Sequence, residues 1–176
     1  MSFPVADVPF FNTGGPVDMS AHQSGNVWFL AGANYGLTSP RSGVVPAGKS
    51  LFLAMANYLN DYPCPAAFGF EPLPGESLHD FLSRTGQVPY FTNLFCEIDG
   101  VPVAHLEDYR AESPLFYFQS DVSFNVWDPC ITGSLQPGLT TGYWLLIPPL
   151  TPGAHTIHFG APDWGQNVTY NLTVMP

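Results

Sequence analysis

Residues 142–176 read GYWLLIPPLTPGAHTIHFGAPDWGQNVTYNLTVMP, and the reading of this stretch decides the fold. An apolar run, 142–147, is stopped by Pro148 and Pro149, and Pro152-Gly153 then turns the chain into a new segment. There His155, Ile157 and Phe159 alternate with Thr156 and His158, and further on Val168, Tyr170 and Leu172 alternate with Thr169, Asn171 and Thr173. Strand side chains point to opposite faces with period 2, so each segment has a core face and a wetter one. The pattern predicts a long antiparallel hairpin.

Similar signals recur upstream. Residues 94–98 and 101–104 flank Asp99-Gly100, a pair that suits a type I′ turn because both central positions need positive φ. VWFLA at 27–31 predicts a buried strand, VVPAG at 44–48 leads into a strand over 50–56, and 115–119 and 122–127 predict two more. Residues 34–43 and 60–75 read as turn-rich connections, the latter punctuated by prolines. SLHDFLSRT at 77–85 is the helix candidate, with Ser77 as N-cap, Asp80 beside it, Arg84 in the last turn and Gly86 at the stop. So many short strands between turn signals predict an all-β fold, an antiparallel β-sandwich of Ig-like or jelly-roll-like type with one short helix and long loops. Residues 1–25, rich in Pro, Gly, Asn and Ser, read as an extended N-terminal arm, and 26–176 as a single domain.

Composition narrows the partners. The 176 residues carry four Lys and Arg against fourteen Asp and Glu, a formal net charge of −10. Phosphate backbones and anionic lipid surfaces need clustered basic side chains, so neither nucleic acid nor an acidic membrane surface is expected as a partner. Charged residues make up only 10% of the chain, well below an average domain, and apolar surface left by that deficit suits subunit packing or ligand contact as well as a large core. The stretch MSFPVADVPFFNTGG lacks the basic and continuous apolar regions of a signal peptide, and no apolar run is long enough to predict a membrane span. The cysteines Cys64, Cys96 and Cys130 allow one disulfide and one free thiol in three possible pairings, and no CxxC is present. Two Asn-X-Thr triplets, at 167–169 and 171–173, lie in a strand-like segment and read as chance matches.

The segment LTPGAHTIHFGAPDWGQNVTYNLTV resembles the closing hairpin of bacterial immunoglobulin-like and related extracellular sandwich modules. VWFLAG, VPAGKSLFL and IDGVPV are similar to stretches of a loose group of uncharacterised exported bacterial β-sandwich proteins. The resemblance covers the last quarter of the chain and scattered motifs elsewhere. It implies a sandwich fold and an extracellular or cell-surface habitat, and it brings no catalytic residues.

Four sets of residues bear on chemistry. His155 and His158 are three apart on a strand and face opposite ways, so they cannot share one ion. His105 and Glu107 share a face if their strand continues, and with His158 (or His155) they form a candidate metal site, weighed against histidines that merely pack or bond locally. The loop acids Asp7, Asp18, Asp99, Asp121, Asp128 and Asp163 admit a structural calcium, weighed against the ordinary preference of Asp for turns. No nucleophile elbow or converging carboxyl pair is visible, so no catalytic residue is assigned. The loop APDWGQN sets Trp164 beside Asp163, Gln166 and Asn167, a stacking ring with polar groups that suits a glycan, while Trp28, Trp127 and Trp144 read as core. The expectation is a non-enzymatic, acidic, exported or cell-surface structural or adhesive module that self-associates as a homo-oligomer or surface assembly. A carbohydrate-binding module using the Trp164 loop is the alternative, and a His/carboxylate metal-dependent enzyme comes third.

Overall fold

The computed structural model describes Pro4, Val8 and residues 17–20, 23–33 and 40–176; most of the expected arm, with Asp7, lies outside these. The fold is mostly β, in two open mixed sheets with one α-helix among the described residues. The strands are β1 (Val17–Asp18), β2 (Val27–Leu30), β3 (Arg41–Pro46), β4 (Ser50–Asp61), β5 (Phe95–Ile98), β6 (Val101–Pro102), β7 (Arg110–Glu112), β8 (Phe116–Phe118), β9 (Gln136–Ile147), β10 (Gly153–Ala161) and β11 (Gln166–Met175). The helix α1 is Leu78–Thr85. One sheet runs β1-β3-β11-β10-β5-β6 and the other β2-β4-β9-β7, with β8 also on β9.

The terminal hairpin forms as its alternation dictates. β10 and β11 pair antiparallel from Gly153↔Val174 to Ala161↔Gln166, and Ile157, Phe159, Val168, Tyr170, Leu172 and Val174 are all buried. The Asp99-Gly100 turn has positive φ at both residues, 53° and 77°, and joins the directly opposed Ile98 and Val101. α1 starts at Ser77, whose hydroxyl accepts from the Asp80 N–H at 3.1 Å, and ends at Gly86.

Three expectations are corrected. The sheets are mixed rather than antiparallel throughout: β3 runs parallel to β11 and β1, and β2 parallel to β4. Parallel partners are joined by long crossovers, which leave no local turn signal to read. Residues 122–127 form a 3₁₀ turn (Val122–Val126), because the Asp121 carboxylate takes the Ser123 N–H at 2.9 Å and starts a turn there. Residues 41–43, read as connection, belong to β3, where Arg41 pairs with Tyr170 of β11.

Contacts gather into two compact units. Among the described residues, unit 1 comprises Pro4, Val8, 57–89 and 111–142; unit 2 comprises 17–20, 23–33, 40–56, 90–110 and 143–176. Unit 1 packs Phe81, Leu82 and Leu139 with Tyr62, Phe70, Leu78 and Leu115. Unit 2 buries the inward faces of β10 and β11 together with Leu51, Leu53, Met55, Tyr143 and Leu145.

Candidate functional site

In unit 1 the end of β4 and the turn that follows the 3₁₀ segment bring two aspartates together. Asp61, the last residue of β4, is 3% exposed. Three residues later comes Cys64, and its disulfide to Cys130 settles the three-way choice of pairing, leaving Cys96 as a buried free thiol. Asp128 precedes Cys130 and caps its own turn, its Oδ1 accepting from the Cys130 N–H at 2.9 Å. The carboxyl oxygens of Asp61 and Asp128 therefore lie within 4.8 Å of each other. Both half-cystines follow an aspartate and a proline, in Asp61-Tyr-Pro-Cys64 and Asp128-Pro-Cys130. Joining the cysteines joins the acids. The recurring Pro-Cys pair with an aspartate just upstream, three residues before one cysteine and two before the other, is the readable signal.

Gln136, fully buried, knits this corner. Its Nε2 donates to Asp61 Oδ2 and to the Cys130 carbonyl (3.0 Å), while its Oε1 accepts from the N–H and hydroxyl of Thr132, both at 2.8 Å. The Thr132 N–H fixes which end of the amide is oxygen, so an N–H must face Asp61. Burial pushes the Asp61 carboxyl up to about 7, helped by the charge of Asp128 and a hydrogen bond with it, and opposed by the Gln136 donor. Burial also raises Tyr58, with Asp128 and Asp61 contributing. A cleft of about 220 Å³ opens here, lined by these acids, Tyr58, Asn60, Phe68 and Phe70, among others. A strongly shifted carboxyl in a cleft marks a candidate functional site. As a cation site the donor set is thin: the Cys130 sulfur is committed to the disulfide, leaving two carboxylates where calcium takes six to eight oxygens.

Unit 2 holds a second cleft, of about 390 Å³, lined by Phe91, Thr92, Leu94, Val103, His105, Leu106 and Glu107. Two of the expected metal ligands thus share a wall, with His105 Nδ1 3.8 Å from Glu107 Oε1 and both side chains open to solvent. They do not lie on a continuing strand: His105 takes a left-handed conformation (φ 58°) and heads a 3₁₀ turn. His158, the third expected ligand, is engaged elsewhere, with Nε2 2.9 Å from Asn167 Oδ1 and its ring against Phe95. Among the described residues only Asp61, Asp128 and Cys130 group their ligand atoms at metal-binding spacing. His155 is bound on both sides, Nδ1 2.7 Å from Asp99 Oδ2 and Nε2 2.8 Å from the Thr151 carbonyl. Two acceptors favour the doubly protonated ring, and the Asp99 bond, then the Thr151 carbonyl, raise its pKa. Asp99 is correspondingly lowered, first by the Thr156 N–H and then by His155.

The Trp164 loop turns much of its polarity inward. Trp164 packs its ring on Phe91 at 5.8 Å, edge to face, and Asp163 is exposed. Gln166 is buried, its Nε2 donating to the carbonyls of Ala54 and Met55 at 2.7 Å each, and Asn167 contacts His158. The other expected calcium acids cap turns: Asp18 takes the Ser20 N–H and Asp121 the Ser123 N–H, each at 2.9 Å. Among the described residues, no helix is long and apolar enough to cross a membrane. No family model, curated protein or solved structure matches this chain.

Proposed function

We propose that this protein is a non-enzymatic exported module, outside the cell or on its surface, that acts structurally or adhesively by associating with copies of itself. One observation carries the reading: a solvent-side apolar ladder crosses three neighbouring strands of unit 2. Phe29 of β2 pairs in register with Phe52 of β4, ring edge to ring face at 5.8 Å, and Phe52 stacks on Trp144 of β9 at 5.7 Å. Leu146, two residues along the same face of β9, is 58% exposed, and Phe29 is 55% exposed. Contiguous apolar surface of this kind is costly in water and is covered by partners in many proteins. The Cys64–Cys130 disulfide supports an oxidising, extracellular setting. One-faced burial along β10 and β11 and the Gln166 bonds to β4 favour a sandwich, of Ig-like or jelly-roll-like type.

Size-exclusion chromatography with light scattering tests the proposal. The expected result is a concentration-dependent large species that Leu146→Lys reduces to monomer. A monomer at every concentration overturns self-association. Dissociation by EDTA would add a structural calcium to the assembly, and indifference to EDTA removes calcium from it. A second reading, glycan binding, is favoured by the unit 1 cleft, where the exposed rings of Tyr58 and Phe68 stand beside Asn60, Asp61 and Asp128. Glycan-array retention lost in Phe68→Ala supports it, and an empty array sinks it.

A further inference from the structure

We propose that Asp61 and Asp128 form a proton-sharing latch that closes the end of β4 onto the 128–130 turn, so that the unit 1 cleft changes charge and closure with pH. The inference is independent of self-association.

Geometry imposes the sharing. Asp61 is buried, its carboxyl is within 4.8 Å of that of Asp128, and the disulfide between Cys64 and Cys130 keeps the two chain segments from parting. No cation is at hand to relieve the pair: the only Lys or Arg of unit 1 is Arg84, which is bonded to Glu76 at 2.7 Å. The other groups facing the pair are few. On β4 Tyr58 is the titratable neighbour; Gln136 of β9 is neutral; the loop side contributes Phe68, Phe70 and the bridged Cys64. A buried carboxylate facing a second, half-buried one does not ionise cheaply, and the stable state holds one proton between them.

The bonding pattern leaves room for that proton. Asp61 Oδ2 accepts from Gln136, and Asp128 Oδ1 accepts from the Cys130 N–H. The shared proton lies between the two carboxyls, which hydrogen-bond to each other. With the proton present the pair carries one negative charge and is a hydrogen bond. Once the proton leaves to solvent the pair carries two charges and repels, and the rim formed by the 128–130 turn loosens within the reach the disulfide allows. Burial of Asp61 sets this change near neutrality, at about 7.

The test uses the intact, oxidised chain. Carbon-detected NMR of aspartate carboxyls is expected to show one group titrating near 7, absent from Asp61→Asn, while the thermal midpoint of the wild type falls from acid to neutral pH and that of Asp61→Asn does not. Should Asp61→Asn fail to fold, Asp128→Asn serves, because loss of the facing charge must lower the Asp61 titration midpoint. Aspartates that all titrate below about 5 in the wild type overturn the latch. So does an Asp61 midpoint unmoved by Asp128→Asn.

Discussion

In unit 2, Asp99 sits half-exposed at a hairpin turn, accepts the Thr156 N–H at 2.8 Å and faces the His155 ring. In unit 1, Asp61 is buried, faces a second carboxyl and has its own backbone N–H and the Gln136 amide as donors. Donors and an opposite charge hold Asp99 below the ordinary carboxylate range, whereas burial and a like charge lift Asp61. The difference lies in what surrounds each acid. Asp99 takes its donors from adjoining residues of one paired strand, Thr156 and His155 of β10, whereas Asp61 depends on Gln136 and on the covalent link that holds Asp128 near it. Unit 1 should therefore fail through its staple and its amide hub, and the exposed Asp99 clamp of unit 2 should matter less to stability.

The largest break in that comparison is the disulfide itself. Cys64 and Cys130 are 66 residues apart, and closing a loop of that length is worth about 4 kcal/mol in the chain-entropy picture. Cys64→Ser with Cys130→Ser is expected to lower stability by about that amount in urea denaturation. The same variant should bring the Asp61 titration down from about 7 toward the ordinary range, since nothing then holds the acids together. The shifts at Asp99 and His155 should not move. If they move equally, the two regions are not held separately as argued.

Two buried glutamines give the next contrast. Gln136→Leu removes the donor to the buried Asp61 and the partner of the half-buried Cys130 carbonyl, while the N–H of the exposed Thr132 turns to water; Gln166→Leu strands the carbonyls of Ala54 and Met55. Each unpaired buried group costs about 1–3 kcal/mol, so both variants are expected to lose about 3 kcal/mol in denaturant titrations. Only Gln136→Leu should raise the Asp61 midpoint further, because its N–H favours the ionised form. An unchanged midpoint would show that burial and Asp128 set the value without the amide.

These glutamines mark the limit of what the chain discloses before folding. The terminal hairpin, the Asp99-Gly100 turn and the cap of α1 were readable because each rests on residues a few places apart, by alternation, by positive φ or by a side-chain cap. Parallel pairing of β3 with β11 was not, because no local signal joins Arg41 to Tyr170. The Asp61 and Asp128 pair is half visible in the aspartate just upstream of each Pro-Cys, yet the choice of Cys130 over Cys96 as partner of Cys64 is a property of the fold. In the Trp164 loop the composition was read correctly as polar, but Gln166 spends its amide on β4.

A smaller effect separates the two acids by pH. Asp61, with its folded value raised, favours the native state fully below about 4 and loses that contribution as pH rises through about 7. The hairpin clamp behaves oppositely at its acid edge: Asp99 is lowered, so its contribution is present above about 4 and is lost as pH falls through its folded value. His155 is raised, so its share is present below about 6.5 and is lost as pH rises through its folded value. Because Asp99 is well exposed, solvent screens the pair, and Asp99→Asn is expected to cost only about 1 kcal/mol at pH 6, less in high salt. A thermal-midpoint series from acid to neutral pH checks it. A loss at pH 6 as large as that of the disulfide variant would reverse the ranking of the two regions.

The smallest effect on stability falls on a third glutamine, at a sheet edge. β2 ends its sheet, and the outer backbone of Phe29 is met by the Gln23 amide, which donates to the Phe29 carbonyl and accepts its N–H, both at 2.9 Å. The side chain does there what a neighbouring strand would do, and so closes the edge to strand addition. The other terminal strands in the two sheet orders are short: β1 and β6 have two residues each, with Pro102 in β6, and β7 is Arg-Ala-Glu. Gln23→Ala is expected to cost under about 1 kcal/mol, since both bonds are solvent-accessible. Its assembly state is the sharper readout. If copies meet through the ladder of Phe29, Phe52, Trp144 and Leu146, removing the amide leaves the light-scattering mass unchanged and Leu146→Lys still dissociates it. If Gln23→Ala instead yields larger species that Leu146→Lys does not dissolve, copies join through the edge of β2, and the side-chain face is not where this protein meets itself.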